Sequence, residues 1–125
     1  MAGRLLLIDD EEDVLGIVSE FLAAVGYEVV AVHTGRRARD LIAGEGPPFD
    51  LALVDWALPD LSGRDLVLAL ERHQPACAVL VTTGHGDDVV SDTMIGAQVD
   101  GILRKPFTMQ GLRLRIEELL QARSA

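Results

Sequence analysis

Cysteine, positive charge and long apolar runs are all scarce in this chain. Cys77 is the only cysteine, so neither an internal disulfide nor a cysteine-based metal cluster can form. It opens an apolar run and reads as a buried, inert thiol. Lys and Arg total 11 against 20 Asp and Glu, a net charge of -9, which argues against nonspecific nucleic-acid binding. No stretch approaches the ~20 apolar residues that a membrane-spanning helix needs. Only four apolar residues, Leu5 to Ile8, stand between Arg4 and a run of acids, too few for a secretory signal. A cytoplasmic protein without a membrane or nucleic-acid partner is expected. Repeats, linkers and low-complexity tracts are also missing. What is present is 125 residues with 49% hydrophobic content, enough for one domain, 1–125, with a real core.

Apolar runs alternate with helical patterns about five times along the sequence. Strands are expected at Arg4 to Ile8, Glu28 to Val32, Asp50 to Asp55, Cys77 to Thr82 and Val99 to Leu103. Val14, Ile17, Val18, Phe21, Leu22 and Val25 recur at helical spacing, with Gly26 placed as a C-terminal glycine. Thr34 caps a second helix carrying Ala38, Leu41 and Ile42, which ends at Gly44 and the Gly46-Pro47-Pro48 breaker. A loop over Pro59 to Gly63 precedes a third helix with Leu66, Val67 and Leu70. Asp87 to Ile95 is a fourth helix, poor in composition because Val89, Val90 and Thr93 are β-branched. Thr108 caps a last helix with Met109, Leu112, Ile116, Leu119 and Leu120 facing inward. Strict alternation predicts an α/β three-layer sandwich, a parallel five-stranded sheet between helices with right-handed crossovers. A (βα)5 count fits the flavodoxin-like order 2-1-3-4-5.

Chemistry-bearing residues stand where these strands end. Asp9 and Asp10 follow the first, Asp55 ends the third, Thr82 and Thr83 end the fourth, and Lys105 follows the fifth. In an open parallel sheet the carboxyl ends of the strands form the ligand-binding edge. Three carboxylates gathered there repel one another and call for a cation; a hydroxyl and an ammonium beside them suit an anion. Mg²⁺ prefers oxygen ligands and keeps several waters. Asp10 and Asp55 could bind it directly, Asp9 through water, and the backbone carbonyl of Ala57 could add another oxygen. Beside such an ion, Asp55 stays ionised and can attack phosphorus. Glu11, Glu12 and Asp13 read instead as acids favoured by a helix N-terminus. Thr82 and Thr83 point to opposite faces; Gly84 leaves room for an anion beside Thr83 and tips the choice to it. Lys105 is a point charge for phosphate, and a cis Lys105-Pro106 bond would aim it inward. His33 and His73 read as surface residues, Arg104 as a solvated turn residue, and His85 as a residue overhanging the site.

Taken together these residues resemble the receiver domain of two-component response regulators, from Leu5 to about Leu120. The resemblance rests on Asp9-Asp10, Asp55 with Pro59 and Gly63, Thr83-Gly84 and Lys105-Pro106-Phe107. The spacings of 28 residues from Asp55 to Thr83 and 22 from Thr83 to Lys105 also match. It implies a non-enzymatic phosphoacceptor in a phosphorelay. A sensor histidine kinase or a histidine phosphotransfer protein would pass its phosphoryl group to Asp55, with Mg²⁺ at Asp9, Asp10 and Asp55. Thr83 and Lys105 would bind the phosphoryl oxygens. Their movement would reshape the face of the fourth helix, fifth strand and fifth helix for a downstream protein. Two positions depart from the family pattern: Ile102 replaces the usual aromatic three residues before the lysine, and Leu58 replaces a common Met.

Three other readings compete. A phosphatase of the haloacid dehalogenase type needs a second Asp two residues after its nucleophile as general acid, where this chain has Ala57. An FMN carrier needs a phosphate-cradling loop after the first strand, where this chain has Asp9 to Asp13. A degenerate receiver acting as a phosphorylation-independent scaffold is kept alive by Ile102.

Overall fold

Branched and aliphatic side chains fill the strands, and one continuous sheet results. The computed structural model describes residues 3–84 and 99–124. Strands β1 (Arg4–Ile8), β2 (Glu28–Val32), β3 (Leu51–Asp55), β4 (Ala78–Thr83) and β5 (Gly101–Arg104) pair in the order β2-β1-β3-β4-β5. All four pairings are parallel. The flavodoxin-like topology expected from the alternation is therefore the one observed. Helices α1 (Glu12–Ala24), α2 (Gly35–Ala43), α3 (Gly63–His73) and the C-terminal helix (Met109–Ser124) cover the sheet. The helix expected at Asp87 to Ile95, with His85, Gly86 and Gly96 around it, lies outside the described residues.

Alternation along the strands divides the core in two. Leu6, Ile8, Ala52, Val54, Val79 and Val81 pack against Ala38 and Ile42 of α2 and Leu66 and Leu70 of α3. Leu5, Leu7, Leu51, Leu53 and Leu80 pack against Leu15, Val18 and Leu22 of α1 and Leu112 and Ile116 of the C-terminal helix. Strand β3 is buried at all five positions, which is why it reads as an unbroken apolar run up to Asp55. Each fully buried Leu contributes about 1.5–3 kcal/mol relative to exposure.

Helix ends follow local chemistry. Thr34 Oγ1 accepts from Arg37 N–H at 3.2 Å, Ser62 Oγ from Asp65 N–H at 3.1 Å and Thr108 Oγ1 from Gly111 N–H at 2.9 Å. Each satisfies a first-turn donor that the helix leaves free. Gly26, past the end of α1, has φ +109°, which a side chain would strain.

Three expectations need correction. Strand β4 runs to Thr83, one residue further than expected, because the β4–β5 register continues to Thr83 opposite Arg104. Strand β5 begins at Gly101 and not Val99. The Asp100 carboxylate, in place of a backbone carbonyl, accepts from Val79 N–H at 2.8 Å and pairs with Arg123 at 2.9 Å. Gly63 is not a loop residue; it is the first residue of α3, and a Cβ there would overlap the Trp56 ring. What that position demands is the absence of a side chain, so that the indole next to Asp55 can lie against the helix start.

Candidate functional site

Parallel pairing brings four strand ends to one edge. Asp9 leaves β1 with its N–H still bonded to Val32 O at 3.2 Å, and Lys105 leaves β5 with its N–H bonded to Thr83 O at 2.7 Å. The backbone is thus held in ladder geometry up to each functional residue. The chain then turns: Asp9 Oδ1 accepts from Glu11 N–H at 3.0 Å and Asp55 Oδ1 from Ala57 N–H at 3.2 Å. These turns fix one oxygen of each carboxylate; the second oxygen of Asp9 accepts from Lys105 Nζ at 3.2 Å, and that of Asp55 points toward the same ammonium.

Asp9, Asp10 and Asp55 each offer a carboxylate oxygen within 4.8 Å of the others. Asp55 is buried at 3% exposure, whereas Asp10 is exposed at the mouth. The strand-end positions of these three in the sequence imply one cluster, and the fold forms it. Lys105 Nζ reaches across the cluster, 3.2 Å from Asp9 Oδ2, 3.6 Å from Asp55 Oδ2 and 3.9 Å from Glu11 Oε1. The Lys105-Pro106 peptide is cis, as expected.

Burial raises the pKa of Asp55 to about 6; the Ala57 N–H and the Lys105 ammonium pull the other way without overcoming it, and the Asp9 charge adds to the rise. Burial would lower Lys105, yet the charges of Asp55 and Asp9 outweigh it and hold the ammonium protonated. The site therefore carries more negative charge than its single cation neutralises, and only oxygen donors face the gap. That donor set fits Mg²⁺.

Thr82 lines a small pocket with Asp9, Leu7 and Leu53, on the same face of the sheet as Asp55. Alternation puts Thr83 on the opposite face. Among the described residues, Thr83 Oγ1 is a buried hydroxyl oxygen without a hydrogen-bond partner, an unusual state for a polar group. Ala57 is exposed just beyond Asp55. His33 is exposed and 3.7 Å from Glu12, His73 is exposed at the end of α3, and neither joins the cluster. Arg104 is exposed, but it is not the turn residue expected: it ends β5, paired with Thr83.

Sequence reasoning missed Asp60. Its carboxylate accepts from Gly35 N–H and Arg36 N–H, both at 2.9 Å, capping α2 from the loop after Asp55. Those two bonds hold its pKa below the ordinary carboxylate range. The partners lie 25 and 24 residues away, so no local pattern announces them. An apolar groove of about 420 Å³ also flanks the site, lined by Val14, Ile17, Val18, Pro106, Phe107 and Met109 with Glu11 and Lys105 at its edge.

Known proteins resemble this chain over nearly its whole length. The response regulator RppA of Synechocystis sp. is 35% identical over 116 residues, which cover 93% of this chain and 50% of that protein. The transcriptional regulatory protein CpxR of Escherichia coli (strain K12) is 33% identical over 120 residues, 95% of this chain and 50% of that one. A cyclic di-GMP phosphodiesterase of Thermotoga maritima is 29% identical over 94% of this chain and 31% of its own length. The chain thus spans half or less of these curated relatives. Among solved structures, a CheY-like receiver domain protein from Methanospirillum hungatei superposes with a TM-score of 0.89 at 29% identity, covering 97% of this chain and 95% of the other. Residues 5–117 match the response regulator receiver domain family, and the chain belongs to it.

Proposed function

We propose that this receiver accepts a phosphoryl group on Asp55 from the phosphohistidine of a sensor kinase or phosphotransfer protein. The observation that supports it most is the convergence of Asp9, Asp10 and Asp55 within 4.8 Å, with Lys105 bridging Asp9 and Asp55. Asp9, Asp10, Asp55 and the Ala57 carbonyl are the groups that would hold Mg²⁺. Bound there, the ion would offset carboxylate repulsion and polarise the phosphoryl oxygens.

In the transfer, a free oxygen of Asp55 attacks phosphorus in line with the P–N bond. That bond breaks and the donor imidazole leaves with its electron pair. Lys105, already within 3.6 Å of Asp55, shifts its charge to a phosphoryl oxygen. Thr83, which ends β4 on the opposite face of the sheet, would have to turn its hydroxyl around the strand end to bond another. The apolar groove beside Lys105 gives an approaching helix a surface to lie on. No described helix is long and apolar enough to cross a membrane.

Mg²⁺ binding tests the ligand set. Trp56 follows Asp55 directly, so its fluorescence should be quenched as Mg²⁺ is titrated into the protein. Asp10→Ala is expected to weaken binding about tenfold or more, whereas Glu12→Ala, on the first turn of α1, leaves it nearly unchanged. Equal affinity in the two variants would contradict the assignment of Asp10.

Switching is expected to be read on the face of the Asp87 to Ile95 segment, β5 and the C-terminal helix. Ile102 packs partly buried against the α2–α3 core and brings no hydroxyl, so repacking of aliphatic contacts, not an aromatic flip, would carry the change. Amide hydrogen exchange with and without beryllofluoride should then differ most, outside the site, between residues 84 and 103. Identical protection there with Asp55 fully occupied would favour a phosphorylation-independent scaffold.

A further inference from the structure

The loop from Asp55 to α3 carries Ala57, whose carbonyl would join the metal shell, and few bonds hold it. At its start Trp56 N–H bonds Thr82 O at 2.9 Å and Ala57 N–H bonds Asp55 Oδ1 at 3.2 Å. At its end Ser62 caps α3. Between Ala57 and Ser62, among the described residues, the only hydrogen bonds to another element are the two that Asp60 accepts from α2. Ala57 is exposed, so its placement depends on what anchors the residues after it.

Both sides of this contact allow close approach. Gly35 is buried, and a Cβ there would lie 2.8 Å from Leu61 Cβ and 3.1 Å from Asp60 Oδ1. Without one, Leu61 and the Asp60 carboxylate reach the end of the helix. Asp60 Oδ1 then accepts from Gly35 N–H and Oδ2 from Arg36 N–H, both at 2.9 Å. Each carboxylate oxygen thus serves one of two consecutive amides. An asparagine could match only one of them, because its NH₂ group would face the other donor.

Helix α2 has a cap of its own. Thr34 accepts from Arg37 N–H at 3.2 Å, and the amide of exposed Arg36 could otherwise bond water. Nor does Asp60 belong to the acidic cluster, which consists of Asp9, Asp10 and Asp55. An acid five residues past Asp55 would add to the repulsion there if it turned toward them. Its charge rests instead on the partly positive end of α2. What its two bonds supply is a fixed point for the loop.

We propose that Asp60 is a positioning residue for Mg²⁺ binding: by clasping the N-terminus of α2 it fixes the loop that presents Ala57. The proposal rests on the Mg²⁺ site at Asp9, Asp10, Asp55 and Ala57. Apolar contacts set the rough course of the loop. Leu58 is buried, Leu61 packs on the α2–α3 core and the Trp56 ring lies against Gly63. Such contacts are non-directional, whereas the two bonds of Asp60 specify an orientation. A loop held in place beforehand binds the ion without a further ordering cost, which raises affinity.

The test is Mg²⁺ titration of the whole ¹⁵N-labelled chain, followed through the amide shifts of residues 9–10 and 55–57. Asp60→Ala should weaken binding about tenfold, with Asp60→Asn between it and the unaltered chain. Gly35→Ala, which drives Leu61 away while leaving the Asp60 carboxylate present, should weaken it too. Thr34→Ala removes the cap that α2 makes for itself. It should lower stability to urea, as Asp60→Ala does, while leaving Mg²⁺ affinity within about twofold. Without metal, amide hydrogen exchange over residues 56–61 should quicken in Asp60→Ala and not in Thr34→Ala. Unchanged Mg²⁺ affinity in Asp60→Ala, with affinity lost in Asp10→Ala, would overturn the clasp and leave the metal site standing. An equal loss in Thr34→Ala and Asp60→Ala would reduce Asp60 to a helix cap and overturn it as well. Titration without shifts in the unaltered chain would overturn the metal site and this proposal together.

Discussion

Asp55→Asn is expected to abolish phosphorylation by acetyl phosphate and Mg²⁺, conditions under which the unaltered chain gains one phosphoryl group by intact mass. The amide keeps the shape of the side chain but not its charge. It offers no anionic oxygen to attack phosphorus and removes one of the three carboxylates gathered within 4.8 Å. Asp9 and Asp10 remain, but Asp9 already spends its oxygens on Glu11 N–H and Lys105, and Asp10 is exposed outside the strand end. Neither is buried beside Thr82 at the end of β3, as Asp55 is. Undiminished labelling of the Asn variant would move the acceptor elsewhere and sink the assignment.

The same variant should gain stability without metal. Burial lifts the Asp55 carboxyl from an ordinary 3.8 to about 6, so folding favours its protonated form. For a carboxyl raised in the folded state, the contribution to stability is full below about pH 4 and is lost as pH rises through about 6. At about 1.4 kcal/mol per pKa unit, the ionised group costs up to about 3 kcal/mol at pH 7. Asparagine is neutral throughout and escapes that cost, less what Lys105 loses when its neighbour's charge goes. Urea unfolding in chelator should therefore find Asp55→Asn more stable than the unaltered chain by roughly 1–3 kcal/mol at pH 7, with the gap closing toward about pH 4. Saturating Mg²⁺ should narrow or reverse it, because the ion stabilises only the form that binds it. An unaltered chain that is the more stable of the two at pH 7 without metal would show that burial does not dominate at Asp55.

The sheet was legible because its strands are nearly pure apolar runs and its helices carry their own stops. Leu51 to Val54 could be nothing but a strand covered on both faces, and Gly26 and Gly44 ended helices where local chemistry demanded. The acidic cluster was legible for the same reason: Asp9, Asp10, Asp55 and Lys105 each end or follow such a run, and parallel pairing brings them together. Contacts distant in sequence were hidden. Nothing local tells that Asp60 caps α2, that Gly63 exists to admit Trp56, or that Asp100 closes β5 with its carboxylate. The choice between Thr82 and Thr83 was framed by alternation, which the fold obeys by setting Thr82 on the Asp55 face.

Lys105 is the only lysine among the 125 residues, and it sits in the middle of the acidic cluster. Every ε-amine signal this protein gives therefore originates at the site. Reductive methylation with ¹³C-formaldehyde would install a single side-chain reporter there, distinct from the amino terminus by its titration. With Asp9, Glu11 and Asp55 within 3.9 Å of its nitrogen, its chemical shift would register metal arrival, phosphoryl transfer and hydrolysis in turn. The chain carries, without engineering, a spectroscopic label at the position where its charge balance changes.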